Sequence, residues 1–280
     1  VYKRQAVNEC DVLFLVGARV GDRAVKTPLA LEKTTKIIHI DIDPAEIGKN
    51  IGADLPLVGD AKLVLQQMTE LAKPMKHDEW IAHIKTLGGE RKYVEPAKGT
   101  VNPRVFIDRL AKKMPANVTV VADVGQNQIW TCTEYKFRKE GRLLTSGGMG
   151  TMGYSVPAAI GAKMADNSRA TVAICGDGAF QMSFMELATA VQFGVDIKVV
   201  VMTNNRLGMV RELQTNGYHD RQTAVFLDGS PDFIKLAEAY GIPAMRVYDD
   251  DTMDKGIEML AEHKGICLVE VVVDKDMPTL

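Results

Sequence analysis

Two apolar runs, Thr171 to Cys175 and Val199 to Met202, constrain this chain most, because their apolar residues fall on consecutive rather than alternate positions. Such runs suit strands of a parallel sheet covered on both faces, and Ile266 to Val273 adds a third. The first run leads into Gly176-Asp177-Gly178-Ala179 and the second into Thr203-Asn204-Asn205. Adjacent parallel strands would bring Asp177 and Asn204 to one edge of a sheet, where open α/β sheets bind ligands. A carboxylate and a carboxamide are hard oxygen donors, and Mg²⁺ is commonly held by one or two such side chains plus phosphate oxygens. The pattern predicts an α/β fold carrying a magnesium–diphosphate site.

The punctuation of the chain divides it. Val12–Val16, Ile37–Asp43 and Leu57–Ala61 alternate with loops and helical spacing, including an apolar helix face of Leu63, Val64, Met68 and Leu71 and a turn of helix opened by Pro44. Residues 1–73 read as part of a Rossmann-like domain. Residues 74–100 turn polar, with Gly88-Gly89, Pro96 and one helical piece at Trp80–Ile84, and read as a linker. Residues 101–280 read as a second α/β domain with a parallel sheet. Its signals are a cap at Asn102-Pro103, a strand at Val118–Ala122 with exit loop Asp123–Asn127, and a Gly-rich loop at Thr145–Gly153 feeding a helix at Ser155 and Pro157. A capping box is expected at Ser183–Glu186, a left-handed helix end at Gly194, and a helix from Ser230-Pro231 to Gly241.

Composition narrows the function classes. A formal charge of −2 argues against nucleic acid or an acidic membrane as partner. The basic cluster from Lys136 to Arg142 reads as a solvated turn. Cys10, Cys132, Cys175 and Cys267 are widely spaced, which predicts free thiols and a reducing, cytoplasmic setting. No apolar run reaches the ~18 residues of a membrane span. No charged-then-apolar leader precedes the first strand, and a start at Val1 rather than Met suggests a piece of a longer protein.

Taken singly, the site motifs have bland readings. Gly-Asp-Gly at a strand end is commonly a tight turn, and Asn tolerates left-handed turns. Their combination favours a ligand site, with Gly178 and Ala179 N–H groups facing a phosphate at the start of a helix.

The Gly-Asp-Gly motif followed after about 26 residues by Asn resembles the diphosphate-binding motif of thiamine-diphosphate enzymes. More narrowly, Thr145–Gly153 (TSGGMGTMG), Val124–Trp130 (VGQNQIW) and Leu207–Val210 (LGMV) resemble the catalytic subunit of acetolactate synthase (acetohydroxyacid synthase). Val16–Arg19 with Asp22-Arg23, and His39–Pro44, resemble that family's central domain. Val1 to Gln5 match no part of it.

The resemblance implies thiamine diphosphate and Mg²⁺ as cofactors, with FAD bound in the central domain without a redox role. It implies metal ligation by Asp177, Asn204 and the Arg206 carbonyl; counting back from Gly208 selects Asn204 over Asn205. It places Gly125, Gln126, Asn127, Gly150, Gly176, Gly178, Ala179, Gly208 and Met209 around the cofactor. Met152 becomes the apolar support that bends it, although core filling is the ordinary role of both methionines. For flavin it marks Gly17, Arg19, Asp41, Gly59 and Asp60, with Val20-Gly21 standing where the family commonly has Phe-Asp. Leu213 stands where the family tends to carry Trp or Gln, a position associated with choice of the second oxo acid.

The implied reaction decarboxylates pyruvate and ligates the two-carbon unit to a second 2-oxo acid, in branched-chain amino acid synthesis. No catalytic acid is implied within these residues. The family's activating glutamate belongs to an N-terminal domain that this sequence does not show, so the chain alone is expected to be inactive. A homodimer of the longer protein and a possible regulatory small subunit follow from the same resemblance. The alternatives are another thiamine-diphosphate decarboxylase or carboligase, and a noncatalytic diphosphate-binding module. A nicotinamide dehydrogenase fits poorly, since Gly17–Gly21 is not G-x-G-x-x-G.

Overall fold

The computed structural model describes residues 2–21, 28–87 and 93–279, and the side chains of residues 2–4 and 28–29 are left aside. Val1, Asp22, Arg23, Gly88 and Gly89 lie outside the described residues. The chain forms two compact units, Val1–Arg91 and Lys92–Leu280. The division falls inside the predicted linker. Its helical piece belongs to the first unit, while Val94 accepts a hydrogen bond from the Asn102 side chain (2.8 Å) in the second.

The first unit runs α1 (Tyr2–Glu9), β1 (Val12–Val16), α2 (Pro28–Glu32), β2 (Lys36–Asp41), β3 (Leu55–Val58), α3 (Ala61–Leu71) and α4 (Asp78–Thr86). Its three strands are parallel in the order β1-β2-β3. A small core gathers Val20, Leu31, Ile37 and Ile51. The helix predicted at Leu63–Leu71 forms as α3, and none of its residues is buried, because a three-stranded sheet with so small a core gives its apolar face little to pack on. One expectation needs correction. Pro44 opens a turn and no helix. The carboxylates of Asp41 and Asp43 accept the N–H groups of Asp43 and Ala45, a local pairing that competes with helix formation.

The second unit runs α5 (Pro103–Lys113), β4 (Thr119–Ala122), α6 (Gln126–Glu134), β5 (Arg142–Thr145), α7 (Ser155–Ala165), β6 (Thr171–Gly176) and α8 (Asp177–Gln181). After a single 3-10 turn come α9 (Leu187–Gln192), β7 (Lys198–Thr203), α10 (Gly208–Gly217), α11 (Phe233–Ala239), β8 (Ala244–Val247), α12 (Asp250–Glu262) and β9 (Cys267–Val272). All six strands are parallel, in the order β5-β4-β6-β7-β9-β8.

The consecutive apolar residues of β6, β7 and β9 are explained by cores on both faces. Val172, Ile174, Val200 and Val269 pack with α5, α6 and α12, whereas Ala173, Cys175, Val199 and Val201 pack with α7, α9 and α11. The strand order reverses around β4: the chain passes from β4 to β5 on one side, then to β6 on the other. The crevice between β4 and β6 is therefore the switch point at which such sheets bind ligands.

Asn102 caps α5 through Arg104 and Val105 N–H groups, and Gly194 (φ +60°) and Gly241 (φ +70°) end their helices as predicted. Two starts differ. Ser183 makes no side-chain cap, and its hydroxyl is buried without a hydrogen-bond partner; the chain passes through the 3-10 turn there, too tight for the reciprocal geometry of a capping box. The helix expected at Ser230-Pro231 starts at Phe233, because Asp232 supplies the cap to Ile234 and Lys235. All four cysteines carry free thiols, with Cys175 and Cys267 buried as small core residues. Among the described residues no helix is long and apolar enough to cross a membrane.

Candidate functional site

Asp177 is the first residue after β6 and is 1 % exposed. Its Oδ2 accepts the N–H groups of Asn204 (3.1 Å) and Asn205 (2.6 Å), and its Oδ1 accepts that of Gly178 (2.8 Å). Burial pushes the carboxyl up to about 6, against the lowering pull of those donors. The β7 exit is bent to meet it. Asn205 takes a left-handed conformation (φ +53°), as Asn does more readily than most residues, and this directs two successive N–H groups at one oxygen. Adjacent parallel strands thus join Asp177 to Asn204, as the two apolar runs foretold.

A third strand contributes more than the sequence showed. Asp123, at the end of β4, is fully buried; its Oδ1 accepts from Val124 (2.9 Å) and Gly153 (3.0 Å) and its Oδ2 from Ser155 (2.8 Å). It ties the end of the Gly-rich loop to the sheet and so places Met152. No local signal marks it: Val124 separates Asp123 from Gly125, whereas glycines adjoin Asp177 on both sides, and the partners Gly153 and Ser155 lie about thirty residues away in sequence.

What read as the exit loop at Gln126 and Asn127 is the first turn of α6. Asn127 Nδ2 donates to the carbonyls of Asp123 (2.9 Å) and Ile174 (3.2 Å), bridging the ends of β4 and β6. Gln126 Nε2 donates to Met277 O (2.9 Å) and Thr279 Oγ1 (3.1 Å), while its Oε1 accepts from Asn204 Nδ2 (3.2 Å). The side-chain donors of both residues are engaged by protein.

These elements line an open cleft. Gly125, Gln126, Asn127, Met152, Gly176, Asp177, Gly178, Ala179, Asn204, Arg206, Gly208 and Met209 all line it, so it gathers every cofactor residue implied for this unit except Gly150. Gly150 (φ +67°) sits on the exposed Gly-rich turn. Two glycines make room for neighbouring side chains. A Cβ on Gly178 would lie 2.7 Å from Leu207 and 3.4 Å from the Met152 methyl, and one on Gly208 would lie 1.8 Å from Gln126 Oε1. The expected helix-dipole contribution shrinks, since α8 has only five residues. The Gly178 N–H is also taken by Asp177.

The Arg206 guanidinium donates to Asn205 O (2.7 Å). It pairs with Asp228 (2.8 Å) and stacks 4.6 Å from the Phe226 ring. Among the described residues no group of three His, Cys, Asp or Glu could hold a metal. The donor set available here is one carboxylate, one carboxamide oxygen and backbone carbonyls. That suits Mg²⁺ completed by phosphate oxygens and suits softer metals poorly.

In the first unit the residues implied for flavin fall on strand ends. Gly17 donates to Ile40 O (2.8 Å) and Gly59 to Asp41 O (2.9 Å), so the ends of β1, β2 and β3 form one edge. Arg19 is exposed there, and the Asp60 carboxylate caps α3 through Leu63 N–H (3.1 Å).

Comparison with known proteins agrees with this geometry. Residues 123–271 match the C-terminal TPP binding domain of thiamine pyrophosphate enzymes, and residues 1–68 match the central domain of the same enzymes, which corrects the expectation that Val1 to Gln5 have no counterpart there. The chain belongs to the thiamine pyrophosphate enzyme family. Within it, similarity runs to acetolactate synthase large subunits. The Lactococcus lactis protein is 36 % identical over 272 residues, covering 96 % of this chain and 47 % of the relative. A probable acetolactate synthase large subunit of Methanocaldococcus jannaschii is 38 % identical over 280 residues, with the same coverage, and isozyme 3 of Escherichia coli is 34 % identical over 96 % of this chain and 49 % of its own length. The chain spans about half the length of the curated relatives it matches.

Proposed function

We propose that this chain is the cofactor-binding half of an acetolactate synthase large subunit. The observation that carries the reading is the meeting of Asp177, Asn204 and Gln126 at the switch point of a parallel sheet, in a chain 34–38 % identical to proteins of that name. Asp177, the Asn204 carboxamide oxygen and the Arg206 carbonyl hold Mg²⁺, with the Gly178 and Ala179 N–H groups turned to the diphosphate. The Gly178 N–H, which donates to Asp177 Oδ1 in this structure, would have to turn from that carboxylate to serve the diphosphate. Met152, whose methyl faces Gly178, supports the bent cofactor, and Met209 lines the same cleft. Thiamine diphosphate, when bound, supplies the electron sink that decarboxylation of a 2-oxo acid requires. The protein positions it and walls it from water with apolar side chains such as Trp130, Met202 and Leu207.

The substrates proposed are pyruvate and a second 2-oxo acid. Dimerisation of the full-length protein and a regulatory partner belong to the same proposal; the words "large subunit" in the relatives' names support the latter. FAD at the first unit's edge, around Gly17, Arg19, Asp41, Gly59 and Asp60, rests on the position of those residues at three adjoining strand ends. Four free thiols support a reducing, cytoplasmic setting.

The test is to join this chain to the remaining half of one of these relatives and supply pyruvate, thiamine diphosphate and Mg²⁺. Acetolactate is the expected product. Release of acetaldehyde or acetyl phosphate instead would assign the chain to another decarboxylase of the family.

A further inference from the structure

Gln126 belongs to a chain of side-chain hydrogen bonds whose direction can be worked out from its far end. Thr279 sits on Glu212 of α10: its N–H lies 2.6 Å from Glu212 Oε1, and its hydroxyl contacts Glu212 Oε2. An ionised carboxylate only accepts, so the Thr279 hydroxyl proton points to Glu212 and its lone pairs point away. Gln126 Nε2 then donates to Thr279 Oγ1 (3.1 Å) and to the Met277 carbonyl (2.9 Å), which is also an acceptor. The Gln126 amide has no freedom to turn over, since its oxygen would face two lone-pair groups. Its Oε1 therefore faces Asn204 and can accept only from that residue's Nδ2 (3.2 Å). The Asn204 oxygen is left on the opposite side, where it accepts the Arg206 N–H (3.0 Å).

The segment that anchors this chain is itself held. Met277 and Thr279 are buried, Trp130 Nε1 donates to Pro278 O (3.2 Å), and Arg211 pairs with Asp276 (3.2 Å). The absence of a side chain at Gly208 makes the room that Gln126 Oε1 occupies beside Asn204, since a Cβ there would fall 1.8 Å from that oxygen.

We propose that residues 276–279 act through Gln126 to decide which end of the Asn204 carboxamide faces the metal, making Gln126, Thr279 and Glu212 positioning residues for the Mg²⁺ site. The inference rests on the metal site proposed above. A carboxamide ligates Mg²⁺ through oxygen and repels it through its NH₂ group, so an Asn free to turn over spends part of its time in a non-ligating orientation. Every donor in the relay points from Asn204 toward Glu212, and aligned bonds of this kind strengthen one another. Partners that orient a metal ligand are worth about 10–100-fold in metal affinity.

The relay is tested by the Mg²⁺ concentration needed for half-maximal thiamine diphosphate binding, read by calorimetry on the chain joined to the remaining half of one of these relatives. Thr279→Val keeps the shape of threonine but removes the hydroxyl, whereas Thr279→Ser keeps the hydroxyl and loses the methyl. The relay requires the valine variant to need about tenfold more Mg²⁺ and the serine variant to stay near the parent chain. Gln126→Met should need at least as much Mg²⁺ as Thr279→Val, and its Asn204 side-chain NH₂ should lose protection from hydrogen exchange. A role in packing alone reverses the order of the two Thr279 variants, and that result overturns the proposal, as does an unchanged Mg²⁺ requirement in Thr279→Val. If Asp177→Ala abolishes binding while Thr279→Val does nothing, the metal site stands and the relay falls. If the unsubstituted chain shows no Mg²⁺-dependent binding, the site and the relay fall together.

Discussion

The strand ends of the two units use similar residues and come to different ends. In the first unit Gly59-Asp60 follows β3, and in the second Gly176 ends β6 and Asp177 follows it. Asp60 is exposed and spends its carboxylate on capping α3. Asp177 is buried beneath three backbone N–H groups at the floor of a cleft, and burial drives its carboxyl up to about 6. The difference lies in what surrounds the edge. Three strands over a small core leave their exit loops in water, while six strands with helices on both faces close theirs into a concave wall. A Gly-Asp step becomes a site when neighbouring strands desolvate it, and otherwise remains a turn or a cap.

The sharpest way to break the comparison is Asp177→Ala, which should abolish Mg²⁺-dependent thiamine diphosphate binding in calorimetry. As the proposed direct ligand it should exceed the ~100-fold loss typical of residues that only orient a ligand. Retained affinity would remove the metal site. Asp123→Ala should come next. It strands three backbone N–H groups at a buried position and frees the end of the Gly-rich loop, at a cost of about 2–3 kcal/mol in denaturant unfolding of the second unit. An unshifted midpoint would show that the loop holds itself.

The pH dependence is smaller and has a definite sign. Asp177 is raised from an ordinary value of 3.8 to about 6, so its contribution to the stability of the metal-free fold is fully present below 3.8 and is lost as pH rises through about 6. Mg²⁺ needs the ionised form, so its affinity runs the other way. Lowering pH from 7.5 to 5 should weaken Mg²⁺ binding by about tenfold, with a proton released on binding at the lower pH. A flat profile in a pH-titrated calorimetric series would contradict the burial argument. The smallest effect is expected in the first unit. Asp60→Ala should cost about 1 kcal/mol, the usual worth of an N-cap, and should leave thiamine diphosphate binding untouched. A loss far above that figure would mean the exposed edge does more than cap a helix.

The sequence by itself determined the parallel sheet of the second unit, because consecutive apolar residues at 172–175 and 199–202 admit few arrangements other than strands covered on both faces. It also determined that Asp177 and Asn204 meet, since adjacent parallel strands end at the same edge. Asn102 and Gly194 were legible as helix ends for a local reason: a side chain beside the first N–H groups, and a glycine able to take positive φ.

Only the tertiary structure decided the rest. The failed capping box at Ser183 and the exposed apolar face of α3 both followed a valid local pattern that the surrounding packing did not use. Asp123 became visible as a strut only once Gly153 and Ser155 had been folded back onto it. The bond from Gln126 to Thr279 joins residues 153 positions apart, and no local spacing records it. Periodicity reports which faces are buried; which buried polar groups find one another depends on closure of the whole sheet.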